Sequence, residues 1–209
     1  MILMCLTGSI ATGKTTVSDF MKEKGCILID TDLVVHDMYN FKGEASEKIK
    51  EEFGENCINL DGSVNREKLG SIVFSDKSKL EKLNEIIHPL VRKEVFRQRD
   101  YWKKYEEKNK LNLLVIYVIP LFFETGGNYP VDYITVSFCS EETQLERLIK
   151  RNKYTKEEAI KRINSQIPIK EKVNKADFLV DTNGSIESIK EQVSNLLSKL
   201  HWNPYYEKV

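Results

Sequence analysis

The sequence predicts an α/β fold with a central parallel sheet flanked by helices, on three observations. Short apolar runs without alternation, such as Ile2 to Thr7 and Leu113 to Phe123, suit parallel strands covered on both faces. Strands alternate with helical stretches, the pattern of a parallel sheet with crossover helices. A long helical and charged stretch after the second strand, about 33–110, reads as an inserted substrate-binding portion.

Each element has its own justification. Ile2 to Thr7 ends at Gly8, and a helix is expected from about Lys14 to Lys24 with Gly25 as its C-cap. Cys26-Ile27-Leu28-Ile29 is a second strand stopped at Asp30-Thr31-Asp32, which completes one right-handed strand–helix–strand unit. In the insert, Leu80, Leu83, Ile86, Ile87, Leu90 and Val91 recur at spacings of three and four, an amphipathic face. His88-Pro89 is expected to interrupt that helix, because a residue before proline is biased out of the α region. Lys103 to Lys110 reads as a solvated helix end. Leu113 to Phe123 is too short to span a bilayer and is expected to be a central strand running into Pro120. Tyr133 to Phe138 is another strand. Thr143 to Arg151 and Thr155 to Gln166 read as helices, the second opening on the capping box Thr155-Lys156-Glu157-Glu158. Phe178-Leu179-Val180 is a last strand, and a C-terminal helix follows from about Ile186 to Leu200.

The 209 residues suffice for one domain, or one carrying a small insert. With 32 Lys+Arg against 32 Asp+Glu the formal net charge is zero, which argues against a sequence-independent nucleic-acid partner. No apolar run reaches the about 18 residues of a membrane-spanning helix. The start, Met-Ile-Leu-Met-Cys-Leu, lacks a basic segment and meets Gly8 too soon for a secretory signal. Cys5, Cys26, Cys57 and Cys139 are scattered with no C-x-x-C pair, so buried reduced thiols in a cytoplasmic protein are expected rather than a metal site.

Gly8-Ser9-Ile10-Ala11-Thr12-Gly13-Lys14-Thr15 matches G-x-x-x-x-G-K-[ST] in full, between a strand and a helix as the mechanism requires. Its glycines let the backbone curl so that successive N–H groups point at phosphate oxygens, and the helix N-terminus adds its dipole. Lys14 would reach the β- and γ-phosphates, and the Thr15 hydroxyl would ligate Mg²⁺. The loop therefore predicts a nucleoside triphosphate as ligand.

A guanine-nucleotide switch is disfavoured: Asn174-Lys175-Ala176-Asp177 spells the base-reading motif, but charged helical residues precede it and Asp181 to Gly184 follows it in the wrong order. A motor-type ATPase is disfavoured because the apolar strand from Leu113 ends in Pro120 rather than a metal-binding Asp. Strand two instead delivers Asp30 and Asp32 at its carboxyl end, where ligands gather in open α/β sheets. A carboxylate there can take a proton from an acceptor hydroxyl, although Asp32 could also simply cap the next helix. Arg147, Arg151 and Arg162, each unremarkable as a surface arginine, could together form a closing lid over phosphates.

Taken with Thr16, Ile29-Asp30-Thr31-Asp32, Asn65-Arg66-Glu67-Lys68-Leu69, Ile87-His88-Pro89-Leu90-Val91, Ile119-Pro120-Leu121-Phe122-Phe123-Glu124 and Glu142-Thr143-Gln144-Leu145, the chain resembles the dephospho-CoA kinase family. Arg162-Ile163-Asn164-Ser165-Gln166, Lys172, Ala176-Asp177 and Asp181-Thr182-Asn183-Gly184 extend the match, which runs from Leu3 to about Leu197. The resemblance implies a P-loop kinase fold in a single domain, with a nucleotide-binding core (about 1–32, 111–140 and 176–200), a helical CoA-binding portion (about 33–110) and a lid (about 141–175). It implies transfer of the γ-phosphate of ATP to the ribose 3′-hydroxyl of dephospho-CoA. Asp32 would be the base, acting with Lys14 and Arg147. Gly8 to Thr16, Arg151 and Asn183 would bind ATP. Asp30, Asp32, Arg66, His88, Pro120, Leu121, Phe122 and Glu124 would form the acceptor pocket. Partners would be these small molecules, in a monomer or small homo-oligomer. The family usually has glycine where Ser9 and Ala11 stand, and often Asp where Asn152 stands. Ser9 and Ala11 occupy variable loop positions and should leave phosphate binding in place. The tail from His201 to Tyr206 matches nothing in the family, and its aromatics are expected to dock on the core. Two other readings share the loop: a kinase for another acceptor, such as a nucleoside monophosphate, and a nucleotide sensor without catalysis.

Overall fold

Ile2–Gly8 forms β1, whose last five residues are buried, as a strand covered on both faces must be. The computed structural model describes residues 1–200 and Trp202. Helix α1 (Lys14–Glu23) follows the phosphate loop and ends at Gly25, whose φ of 91° is the left-handed turn that lets the chain leave the helix. β2 (Ile27–Asp30) is followed at once by α2 (Thr31–Asn40). Further along, β3 (Leu114–Val118), β4 (Tyr133–Phe138) and β5 (Phe178–Asp181) complete a five-stranded sheet in the order β2-β3-β1-β4-β5. β1 pairs in parallel with β3 and with β4, and β4 with β5; Gly8 lies opposite Ser137. Between β4 and β5 run α6 (Glu141–Asn152), α7 (Lys156–Asn164) and the short α8 (Ile169–Val173), and α9 (Ile186–Lys199) closes the described chain. The capping box at Thr155 forms as the spacing predicts, with Thr155 Oγ1 accepting from Glu158 N and Glu158 Oε2 from Thr155 N.

Two compact units divide the chain: Met1–Ile29 with the residues from Trp102 onward, and Asp30–Tyr101. The first contains the sheet and a core of Met4, Leu6, Val17, Met21, Leu114, Ile116, Val180 and Val193 with their neighbours. Trp202 belongs to that core, its Nε1–H donating to Asn112 O at 2.7 Å, so this tail aromatic docks as expected. The rest of the tail expectation, at His201, Asn203, Pro204, Tyr205 and Tyr206, lies outside the described residues.

The second unit is helical. It holds α2, α3 (Glu44–Phe53), a 3₁₀ turn at Glu55–Cys57, α4 (Arg66–Val73) and most of α5 (Lys77–Asn109). Ile58 and Val64 form an antiparallel bridge before Asn65 caps α4.

α5 corrects the expected interruption at His88-Pro89. It runs 33 residues without a break, Pro89 inside it. Proline removes one backbone donor from the ladder, but Leu83, Ile87, Leu90, Val91 and Val95 are buried on both sides of it. A continuous apolar stripe outweighs the local preference. The solvated end is also corrected in part, since Glu106 is buried and accepts the Leu113 N–H at 2.7 Å.

Candidate active site

The sheet's carboxyl edge collects the loops of the first unit, as parallel topology requires. After β1 comes the phosphate loop; after β3, the turn from Pro120 to Gly127; after β4, Ser140 and α6; after β5, Thr182 and Asn183.

Backbone conformation shapes the loop. Ala11 (φ 59°) and Gly13 (φ 78°) are both left-handed, and Gly13 is the N-cap of α1 with no side chain capping the helix. The first turn of a helix lacks intrahelical acceptors, so this end is built to face an anion. Gly8 is required by space: a Cβ there would lie 2.6 Å from Ser137 O, Ser137 Oγ and Thr12 Oγ1. Ser9 and Thr12 are buried, with Thr12 Oγ1 donating to Ser9 O at 2.9 Å. Lys14 and Thr16 are half-buried and Thr15 is exposed, all three in the first turn of α1.

Side chains from elsewhere grip this loop, in roles that residue types and spacing do not reveal. Ile10 N–H donates to Gln166 Oε1 at 2.8 Å, and Ile10 C=O accepts from Gln144 Nε2 at 2.7 Å. Thr182 Oγ1 lies 3.0 Å from Thr12 O and 3.1 Å from Phe138 O, and donates its one proton to either. Gln144, Gln166 and Lys172 all stand in the motifs that carried the family resemblance, but a motif does not say which atom a side chain touches.

Arg147, from α6, is brought to the loop's support: its guanidinium donates to Thr182 Oγ1 (3.0 Å) and Thr182 O (2.6 Å). Arg151 lies at the end of α6, bonded to Asn152 Oδ1, and Arg162 stacks over the Tyr154 ring at 4.5 Å. Asn183 accepts the Ser140 N–H at 2.9 Å and so ties β5 to the N-cap of α6.

In the turn after β3, Phe122 is buried, Pro120 half-buried and Leu121 42% exposed, so Leu121 presents the turn's free apolar surface. Glu124 Oε1 pairs with the fully buried Lys172 Nζ at 2.6 Å and accepts Ile167 N–H at 3.1 Å. Glu124 Oε2 is buried with no hydrogen-bond partner among the described residues. Lys172 Nζ also reaches Gly8 O at 3.5 Å.

Within the helical unit, Asp30 rather than Asp32 is the cap of α2: its Oδ1 accepts from Asp32 N (2.8 Å) and Leu33 N (3.4 Å). Capping therefore does not account for Asp32, which stands exposed at the second position of α2. Arg66 donates to His36 O at 2.9 Å and lies over the Tyr39 ring, against the same helix. His88 is exposed on α5, and partial desolvation, then the Arg92 charge, holds its imidazole below the usual histidine value. All four cysteines are free and buried, as expected; burial pushes Cys26 up to about 12, far from thiolate chemistry. Among the described residues no group of three or more His, Cys, Asp or Glu could hold a metal, and no helix is long and apolar enough to cross a membrane.

Comparison with known proteins supplies the family. The family model for dephospho-CoA kinase matches residues 2–188. A dephospho-CoA kinase of Listeria monocytogenes is 43% identical over 194 residues, covering 93% of this chain and 94% of the relative. One of Oceanobacillus iheyensis is 41% identical over 202 residues, covering 97% and 98%. The solved structure of dephospho-CoA kinase from Campylobacter jejuni superposes with a TM-score of 0.71 at 29% identity, over 95% of this chain and 96% of that one. The five-stranded sheet with its phosphate loop is thus a P-loop kinase fold, and the chain belongs to the dephospho-CoA kinase family.

Proposed function

We propose that this chain transfers the γ-phosphate of ATP to the ribose 3′-hydroxyl of dephospho-CoA, giving coenzyme A and ADP, the last step of CoA biosynthesis, with Asp32 as the base. The observation that carries the reading is the uncapped N-terminus of α1 behind the left-handed Ala11 and Gly13, in a chain of this family.

In the step itself, Asp32 takes the 3′-hydroxyl proton as the oxygen bonds to the γ-phosphorus, and the bond to the β–γ bridging oxygen breaks with ADP as leaving group. Lys14 and the N–H groups from Gly8 to Thr16 hold the β- and γ-phosphates, and their charge counters what the transition state spreads over the transferred oxygens. Arg147, anchored on Thr182, and Arg151 add positive charge from α6, and Asn183 supports the nucleotide side from the loop after β5. Contacts to dephospho-CoA are assigned to Asp30, Arg66 and His88 of the helical unit and to Pro120, Leu121, Phe122 and Glu124 of the sheet-bearing unit.

The hydroxyl of the exposed Thr15, a hard oxygen donor, would hold Mg²⁺, which would supply positive charge to offset that of the phosphates. Cytoplasmic location and small-molecule partners alone, in a monomer or small homo-oligomer, complete the proposal.

Asp32→Asn tests the assignment. Loss of the base should lower kcat by roughly 10²–10⁴-fold, with ADP affinity unchanged because the phosphate loop is untouched. Turnover at the parental rate would remove Asp32 from the reaction.

A further inference from the structure

The crest of the phosphate loop has little internal support. Among the described residues, the bonds recorded within its Ser9–Thr12 crest are Thr12 N–H to Ser9 O, at a long 3.4 Å, and Thr12 Oγ1 to the same oxygen. Ala11, next along, sits at φ 59°, a conformation that an L-residue adopts only when its surroundings impose it. Two long-range bonds reach the residue before it, Ile10, one on each of its two flanking peptide units. The N–H of Ile10 is taken by Gln166 Oε1 at 2.8 Å and its C=O by Gln144 Nε2 at 2.7 Å. Both bonds span more than a hundred residues of chain, and the two amides reach the crest from different elements.

Gln144 is buried in α6, whose N-cap is fixed by Asn183. Gln166 lies just beyond α7, and its neighbour Ile167 is fixed through its own N–H to Glu124. Five residues on, Lys172 pairs with the same Glu124 oxygen. The segment carrying Gln166 is therefore pinned on the β3 turn while its amide holds the loop.

We propose that Gln144 and Gln166 form a two-sided clamp on Ile10 that keeps the phosphate loop in its anion-ready shape, and that both are positioning residues for phosphoryl transfer. The inference rests on the reading that this loop holds the phosphates of ATP. With the Ile10 N–H directed to Gln166, the N–H groups after it are left to converge on the phosphates, and the crest cannot relax when the site is empty. A preorganised loop gives up less freedom on binding, so losing the clamp weakens affinity for the polyphosphate.

Amide exchange and ADP binding test it together. In the nucleotide-free parent, the Ile10 amide is expected to be protected. Gln166→Met keeps the side chain's length but removes its acceptor; Ile10 exchange should accelerate by about tenfold and ADP affinity should fall by about tenfold, the size of one lost hydrogen bond. Amides of β1 and β3, and KM for dephospho-CoA, should hold. Gln166→Glu keeps the acceptor oxygen and should keep Ile10 protected. Gln144→Met should lower ADP affinity likewise, and a loss in only one of the two methionine variants would overturn the two-sided clamp. An Ile10 amide exchanging freely in the parent would overturn it without recourse to any variant. So would unchanged ADP affinity in a folded Gln166→Met chain that has lost the protection. If the parent made no CoA, the acceptor assignment would fail, yet Ile10 exchange and ADP affinity would still decide the clamp.

Discussion

Ala11 carries backbone strain at a place where the phosphate loop must turn. Its φ of 59° costs an L-residue about 1–2 kcal/mol relative to right-handed geometry. Glycine has no such penalty but loses more freedom on folding, so part of the gain is offset. Ala11→Gly should therefore stabilise the folded chain by about 1 kcal/mol, raising Tm by roughly 2–4 °C in a chain of this size. Calorimetry on the nucleotide-free protein checks this, and a lower Tm would mean that the surroundings relieve the strain at Ala11. The position also shows the limit of reading a loop from residue types. The G-x-x-x-x-G-K-[ST] spacing announces an anion site because its chemistry is local. The family resemblance further implies glycine as the usual residue at this position. It does not show that the residue is held left-handed, nor that Gln144 and Gln166 hold its neighbour, because those bonds cross 134 and 156 positions of chain.

At the scale of elements, the start of α2 separates two roles that the D-x-D stop left joined. Asp30 caps the helix through Oδ1, and Asp32 stands one turn position beyond the helix start. Asp30→Ala should destabilise the chain by about 1 kcal/mol, whereas Asp30→Ser, itself a good cap, should restore most of that. If Asp30 also touches the acceptor, KM for dephospho-CoA will stay raised in the serine variant although stability returns. A KM that recovers with stability would leave Asp30 as a cap alone. Strands and capped helices were legible because their signals are short-range: β4 runs over Tyr133–Phe138 as its residues predict, and Thr155 caps α7 through its box. α5 was less legible. Pro89 signals a break, and only the burial of Leu83 to Val95 on both sides of it keeps the helix whole. Tertiary burial overrode a local bias there, as it did at Glu106, whose charged neighbours disguised a buried acceptor for Leu113.

At the scale of the whole molecule, the chain consists of a sheet-bearing unit that carries the phosphate loop and a helical unit that carries Asp32, Arg66 and His88. The alternation of apolar runs with helices was enough to read the parallel sheet, because each crossover leaves its own period in the sequence. The strand order β2-β3-β1-β4-β5 was not, since it depends on which strands find each other after the insert has been bypassed. Nor did the sequence tell that Glu124, read as an acceptor-binding carboxylate, also pairs with a fully buried lysine. Phosphoryl transfer to dephospho-CoA is tested most directly by identifying the products. The purified chain is given ATP and Mg²⁺ with dephospho-CoA, adenosine, AMP or no acceptor, and the products are identified by mass. Coenzyme A and ADP in equal amounts from dephospho-CoA alone is the predicted result. Phosphorylation of another acceptor with none on dephospho-CoA, or nucleotide binding without turnover on any of them, would contradict it.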